Sequence, residues 1–118
     1  MMEKKPTVFC FDLDGTLCTV EKGALGLKDY AKAIPKMDRI AKVNKLYDEG
    51  HLIKIETARG VQTDQDWKEF TKQQMDKWGL KYHVLRVGVK MHANFYIDDK
   101  GINDKDFFKD ELNEKYNA

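Results

Sequence analysis

An apolar strand that ends in two carboxylates is the feature that most constrains this chain. Residues 8–11 read Val-Phe-Cys-Phe, a run of β-branched and aromatic side chains that predicts a buried strand. Asp12 and Asp14 follow at once, with Gly15 and Thr16 behind them. Because burying an unpaired carboxylate is costly, a pair spaced this closely predicts solvent, hydrogen-bond partners or a bound cation. Gly15 provides the backbone freedom for a tight turn, and the Thr16 hydroxyl can bond within it.

Strand and helix patterns alternate along the rest of the chain. Apolar residues at three- and four-residue steps predict helices, whereas short apolar runs rich in β-forming residues predict strands. This alternation predicts an α/β fold in which a parallel sheet carries helices on both faces, a three-layer Rossmann-like arrangement. The predicted helices span residues 35–50, 62–79 and 102–118, and the predicted strands span residues 51–57, 82–89 and 94–98.

Composition limits the classes of protein to which the chain can belong. Its 118 residues predict one domain over residues 1–118, and 42% hydrophobic with 35% charged residues indicates a globular protein. A formal net charge of +1 argues against a nucleic-acid partner. No apolar run approaches the roughly 20 residues of a membrane span, so no membrane partner is expected. Cys10 and Cys18 form neither a disulfide framework nor a zinc spacing, and a reduced, cytoplasmic protein is expected.

Three distant segments are predicted to meet at one edge of the sheet. Asp12, Thr57 and Asp98 each end a predicted strand. In an open parallel sheet the ligand site lies at the carboxyl ends of the strands. Taken alone, the Asp12–Asp14 pair also fits a turn that closes a strand, or a calcium loop, although Gly15 falls one place too early for the latter.

The motifs at these strand ends are similar to those of the haloacid dehalogenase superfamily of phosphotransferases. The resemblance rests on Asp-x-Asp-Gly-Thr after an apolar strand, on Thr57 at the end of the second strand, and on Lys90 eight residues ahead of the pair Asp98-Asp99. It covers about residues 7–103. Within the superfamily the chain resembles small capless phosphatases of capsule or surface-polysaccharide biosynthesis, on the stretches FDLDGTLC, AIP, ETARG and YIDDKGIN.

The resemblance implies a role for each motif residue. Asp12 would be the nucleophile that forms an aspartyl-phosphate, and Asp14 the general acid and base. The Thr57 hydroxyl and the neighbouring backbone N–H of Ala58 would hold the transferred phosphate. Lys90 would neutralise the nucleophile and the phosphate.

The resemblance also implies a magnesium ion. Asp12, the backbone carbonyl of Asp14 and Asp98 would be ligands, with Asp99 supporting the site through water or a hydrogen bond. The ion would screen the repulsion between a carboxylate nucleophile and a phosphate dianion.

Residues 19–34 are expected to form a short flap over this site, as a small hairpin or a loose helical turn. They are too few for a cap domain, which predicts an open site. Lys28, Tyr30 and Arg59 are the candidate substrate contacts.

The expected function is magnesium-dependent hydrolysis of a phosphomonoester on a small phosphorylated metabolite, such as a sugar phosphate. Two alternatives stay open: a nucleotide or nucleic-acid-end phosphatase, and a catalytically idle protein that keeps the fold for binding. Met91 and Asn94 depart from the Pro and Asp expected at those positions. Lys54 and Glu56 share one face of the second strand, which predicts that this face is partly open or that their charges pair. Glu56 has no assigned role beside the anion site.

Overall fold

The computed structural model describes residues 6–20, 29–60, 66–90 and 93–109, in which strands and helices alternate. A 3₁₀ turn at Tyr30–Lys32 precedes the first helix. In chain order the elements are β1 (Val8–Asp12), β2 (Cys18–Thr19), β3 (Ile34–Pro35), α1 (Met37–Asp48), β4 (Leu52–Thr57), α2 (Lys68–Trp78), β5 (Val84–Val87) and α3 (Asp104–Phe107).

A parallel sheet of three strands forms the centre of the described chain, in the order β1-β4-β5. Asp12 is in register with Glu56, and Thr57 is in register with Val87, so the strands end at nearly the same level. This confirms the predicted α/β class with a parallel sheet, and the arrangement is compatible with a Rossmann-like fold.

The hydrophobic core lies against one face of this sheet. Phe11, Ile53 and Ile55 contribute from the strands, and the same cluster takes Ile40, Val43 and Leu46 from α1 and Met75 from α2. Each such aliphatic side chain contributes about 1.5–3 kcal/mol when it is fully buried. Both long helices therefore cover the same face.

The opposite face of the sheet is partly open, as Lys54 and Glu56 predicted. Val8 and Cys10 on that face are exposed, and Lys54 and Glu56 are half-buried. Within the described residues the sheet thus has one covered face, and the predicted third layer is not seen there. The predicted helix over residues 102–118 appears as the four residues of α3, and residues 110–118 lie outside the described part.

One predicted helix boundary shifts for an identifiable reason, and another is confirmed. The helix predicted to begin at Pro35 begins at Met37, because Pro35 instead pairs with Cys18 in the small antiparallel ladder of β2 and β3. That ladder joins the two ends of the predicted flap, and residues 21–28 lie outside the described part, so the flap stays a prediction. The second helix ends as predicted at Gly79, whose φ of +75° suits a left-handed cap.

The strand predicted over residues 94–98 does not form. Phe95 is 84% exposed and Ile97 is 95% exposed, and neither belongs to a ladder. The Asp98 side chain instead accepts hydrogen bonds from the backbone N–H groups of Lys100 and Gly101. Such local side-chain bonds compete with strand pairing, and strand propensity by itself is a weak determinant.

The short helix α3 docks through aromatic rings beside β1. Phe107 packs edge-on against Phe9 and Phe11, with ring centroids 5.8 and 5.5 Å apart. Arg39 of α1 anchors it with an ion pair to Asp104 at 2.6 Å. No helix in the described ranges has the length and apolar character needed to cross a membrane.

Candidate active site at the carboxyl ends of the strands

The turn after β1 carries the two carboxylates in the manner expected from the sequence. Gly15 has a φ of +86°, a conformation that side chains disfavour, and its N–H donates to the Cys18 carbonyl at 2.8 Å. Leu13 and Leu17 on either side are fully buried, and the N–H of Leu17 donates to the Leu13 carbonyl at 2.8 Å. The turn is therefore fixed to the core between two buried leucines.

Asp12, the predicted nucleophile, is paired with Lys90. The Lys90 Nζ lies 3.3 Å from Asp12 Oδ1, and the Thr16 hydroxyl lies 3.4 Å from Asp12 Oδ2. Burial raises the pKa of Asp12 above its ordinary value, and the charge and hydrogen bond of Lys90 partly offset this. Lys90 also stands over the ring of Tyr96, 4.7 Å from its centroid. The structure thus brings two predicted site residues, Asp12 and Lys90, into contact.

Asp14, the predicted acid and base, is held by Arg59. The Arg59 Nε lies 3.0 Å from Oδ2 and the Nη2 lies 2.8 Å from Oδ1, which is a side-on bidentate ion pair. The Thr57 hydroxyl donates to Oδ2 at 3.2 Å, and the Cys18 thiol lies 3.4 Å from Oδ1. Asp14 is therefore surrounded by three donor side chains, two from the end of β4 and one from its own turn.

The side chain of Arg59 is buried and bonded to other side chains of the site. Its side chain is 0% exposed, with Nη1 donating to Thr71 at 3.1 Å and to Gln74 at 2.8 Å. Its guanidinium carbon also lies 4.6 Å from the centre of the Tyr30 ring. Because these donors are committed to Asp14 and α2, the arrangement lends no support to the expected contact between Arg59 and substrate, which stays a prediction.

The remaining residues predicted to bind phosphate or substrate are Thr57, Ala58, Tyr30 and Lys28. Thr57 is buried at the end of β4, and its oxygen accepts from the backbone N–H of Arg59 at 3.3 Å. Ala58 is half-buried in the turn that follows. Tyr30 lies beneath Arg59, so its ring belongs to the support of Asp14. Lys28 lies outside the described residues.

Two of the predicted metal ligands line one cavity, but the described acidic side chains are not assembled around a common point. Asp12, Lys90 and Asp98 line a cavity of about 640 Å³ that runs along β1. Backbone N–H groups of Lys100 and Gly101 hold the pKa of the exposed Asp98 below its ordinary value. In the parts of the chain that the structure describes, no three His, Cys, Asp or Glu side chains are close enough to share an ion. Asp99 is exposed.

Glu56 lies on the open face of the sheet, which it shares with its register partner Asp12. It sits between Asp12 on one neighbouring strand and Arg86 on the other, in register with both. Side chains at paired positions of neighbouring parallel strands share a face, so Arg86 is the cation nearest in register to Glu56. Its negative charge therefore faces away from Thr57, whose side chain points to the core.

Sequence reasoning missed the groups that surround Arg59. Thr71 and Gln74 lie on the core-facing side of α2, the side that the helical pattern assigned to apolar packing. A Gln within an apolar stripe was the available signal, because a polar side chain facing a core requires a buried partner. Cys18 gave no signal, since its contact with Asp14 depends on the shape of the turn.

Comparisons with known proteins support the fold and leave the activity open. No protein-family model matches the chain. No curated protein matches it either. Among solved structures, the chain is similar to a crystal structure of a structural-genomics target from Vibrio cholerae, with 26% identity and a TM-score of 0.75. That match covers 94% of each chain, so the likeness extends over the whole fold.

Proposed function

We propose that this protein is a phosphomonoester hydrolase of the haloacid dehalogenase type, with Asp12 as its nucleophile. The observation that carries the proposal is the Lys90–Asp12 ion pair, 3.3 Å long, at the carboxyl end of β1. It joins residues 78 positions apart, and it lies where open α/β sheets place their ligand sites. A lysine that touches the nucleophile also suits the approach of an anionic substrate.

The reaction runs in two displacements. A carboxylate oxygen of Asp12 attacks phosphorus, and the bond from phosphorus to the leaving oxygen breaks with its electron pair on that oxygen. Asp14 donates a proton to the leaving oxygen, which departs as an alcohol. Water then attacks the aspartyl-phosphate and gives a proton to Asp14, which releases phosphate and restores the Asp12 carboxylate.

Magnesium fits the donor chemistry of this site. Asp12 and Asp98 offer the oxygen ligands that this hard ion prefers, and both line the same cavity. The Asp98 carboxylate accepts hydrogen bonds from N–H groups of its own turn. Asp12 and Asp98 would hold the ion, with the Asp14 carbonyl as a further ligand and Asp99 in support. When bound, the ion supplies positive charge that lowers repulsion between nucleophile and phosphate.

The proposed substrate is a small phosphorylated metabolite, with a sugar phosphate of surface-polysaccharide biosynthesis as the first candidate. The supporting observation is the volume of the cavity, about 640 Å³, which is in the range of small-molecule pockets. A nucleotide or nucleic-acid end is the alternative substrate, and an idle binding protein is the alternative to an enzyme.

Hydrolysis of p-nitrophenyl phosphate with Mg²⁺, and with EDTA in its place, tests the proposal. We expect turnover with Mg²⁺ and loss of turnover with EDTA. Turnover that is equal in both would contradict the metal site, and its absence in both would favour an idle protein. A panel of sugar phosphates and nucleotides then ranks the leaving groups.

A further inference from the structure

Arg59 is buried more deeply than Lys90, the cation that pairs with Asp12. Its side chain is 0% exposed, whereas that of Lys90 is 25% exposed. One edge of the guanidinium faces Asp14, and the remaining nitrogen is anchored on α2 by Thr71 and Gln74. The amide of Gln74 in turn donates to the Tyr30 carbonyl at 2.8 Å, which connects this anchor to the 3₁₀ turn at Tyr30–Lys32.

The hydrogen-bonding capacity of Asp14 is filled in this arrangement. A carboxylate offers about four lone-pair positions. Arg59 takes one on each oxygen, Thr57 takes a second on Oδ2, and the Cys18 thiol approaches the second on Oδ1. Asp14 therefore has to give up a partner before it can meet a leaving group.

Thr57 is the partner that can leave. Its hydroxyl carries one hydrogen, which now points to Asp14, and it rotates about a single bond. A phosphate bound at the end of β4 would compete for that hydrogen. Arg59 is fixed by its contacts with Thr71, Gln74 and the Tyr30 ring, and so it stays in place when Thr57 turns.

We propose that Arg59 is the positioning residue of Asp14, which it holds in place while the Thr57 hydroxyl moves from Asp14 to the substrate phosphate. The inference rests on the proposed function and assigns a role to a residue outside the expected catalytic set. Substrate binding thereby frees one position on Asp14 Oδ2, where Asp14 takes up from solvent the proton that it passes to the leaving oxygen. Arg59 itself touches neither substrate nor metal.

The test uses the dependence of rate on the leaving group. p-Nitrophenolate departs without protonation, whereas an alkoxide requires the proton from Asp14. Release of the leaving group in the first turnover is measured for p-nitrophenyl phosphate and for an alkyl phosphate such as glycerol phosphate. The variants are Arg59→Lys, which keeps the charge but loses the bidentate geometry, and Arg59→Ala. Arg86→Ala, an exposed arginine on β5, is the control.

In both Arg59 variants the first turnover should slow by roughly 10²-fold on the alkyl phosphate and by less than about 10-fold on the aryl phosphate. The aryl substrate should then give a burst, because attack of water on the aspartyl-phosphate also needs Asp14. Thr57→Val should instead raise KM for both substrates alike. The control should match the wild type on both.

The remaining outcomes separate a failure of the positioning role of Arg59 from a failure of the proposed function. Equal slowing on both substrates, with the wild type active, would overturn the positioning role and leave the proposed function standing. A wild type that hydrolyses neither substrate would overturn both. If neither Arg59 variant folds, Gln74→Leu removes one anchor and keeps the ion pair; a rate loss that does not depend on the leaving group would then overturn the inference.

Discussion

Arg59 and Asp14 form an ion pair whose members come from the ends of two neighbouring strands. The pair is buried, with 0% of the arginine side chain and 11% of the aspartate side chain exposed. A buried pair is costly to desolvate, so it persists only where geometry and further hydrogen bonds satisfy both partners. Here Thr57, Thr71 and Gln74 supply those bonds.

Removal of Arg59 should therefore destabilise the fold. Arg59→Ala leaves the Asp14 carboxylate buried without its cation, and we expect a loss of about 3–5 kcal/mol in the free energy of unfolding. The matched control is Lys81→Ala, which breaks the exposed Lys81–Asp48 pair and should cost about 1 kcal/mol or less. Urea denaturation of both variants measures the difference. Equal losses in the two variants would show that the buried pair has no special weight.

Asp104 should make stability depend on acid pH. Burial acts to raise the pKa of Asp104, but the hydrogen bond and charge of Arg39 outweigh it, and the pKa lies below its ordinary value of 3.8. A lowered pKa in the folded state stabilises the fold above the unfolded pKa, and this contribution is lost as pH falls through the folded pKa. Asp104→Asn should thus be less stable than the wild type by up to about 1 kcal/mol near neutral pH. The difference should vanish at a pH well below 3.8; a difference that stays constant with pH would exclude this ion pair as the cause.

The two cysteines should differ in reactivity. Burial, with the Asp14 charge adding to it, raises the pKa of Cys18 to about 12, and Cys18 is fully buried. Partial desolvation, and after it the charge of Glu56, also raises the pKa of Cys10, although Cys10 is exposed. Because the thiolate is the reactive form, iodoacetamide near pH 8 should label Cys18 at least about 10²-fold more slowly than Cys10. Mass spectrometry of the folded protein measures both rates, and unfolding in urea should abolish the difference.

Sequence and structure agree best for elements whose residue pattern lies within a few consecutive positions. β1 and β4 lie within one residue of their predicted bounds, because an apolar run rich in β-branched and aromatic residues predicts β1 and an alternation of apolar and charged residues predicts β4. The stop of α2 at Gly79 follows from the backbone of that residue alone. These features depend on neighbours in the chain.

The features that were missed depend on partners distant in the chain. The pattern over residues 94–98 has strand character, yet a strand needs a neighbour with which to pair, and the local turn at Asp98 takes that place. The sequence predicted Arg59 as a substrate contact, and its bonds to Asp14 and α2 form only because the fold brings these groups around it. Asp12 and Asp14 were identified from the sequence because the free-energy cost of burying a carboxylate is a property of the residue itself.

Asp98 should govern the magnesium requirement. If Asp98 is a ligand, Asp98→Ala should raise the Mg²⁺ concentration for half-maximal activity by at least about 10²-fold, while Asp99→Ala should raise it by less, as expected of a supporting group. Both residues are exposed and adjacent, so each variant serves as the control for the other. Activity titrated with Mg²⁺ from an EDTA-treated stock measures the effect. The reverse order of the two variants would assign the ligand role to Asp99.

Asp12→Asn tests the central claim most directly. An amide at the end of β1 keeps the size of the side chain and removes the nucleophile, so kcat on p-nitrophenyl phosphate should fall by at least about 10³-fold. The folded state should persist, as measured by circular dichroism and by the urea midpoint. A folded Asp12→Asn protein that retains turnover within about 10-fold of the wild type would contradict the assignment of Asp12 as the nucleophile.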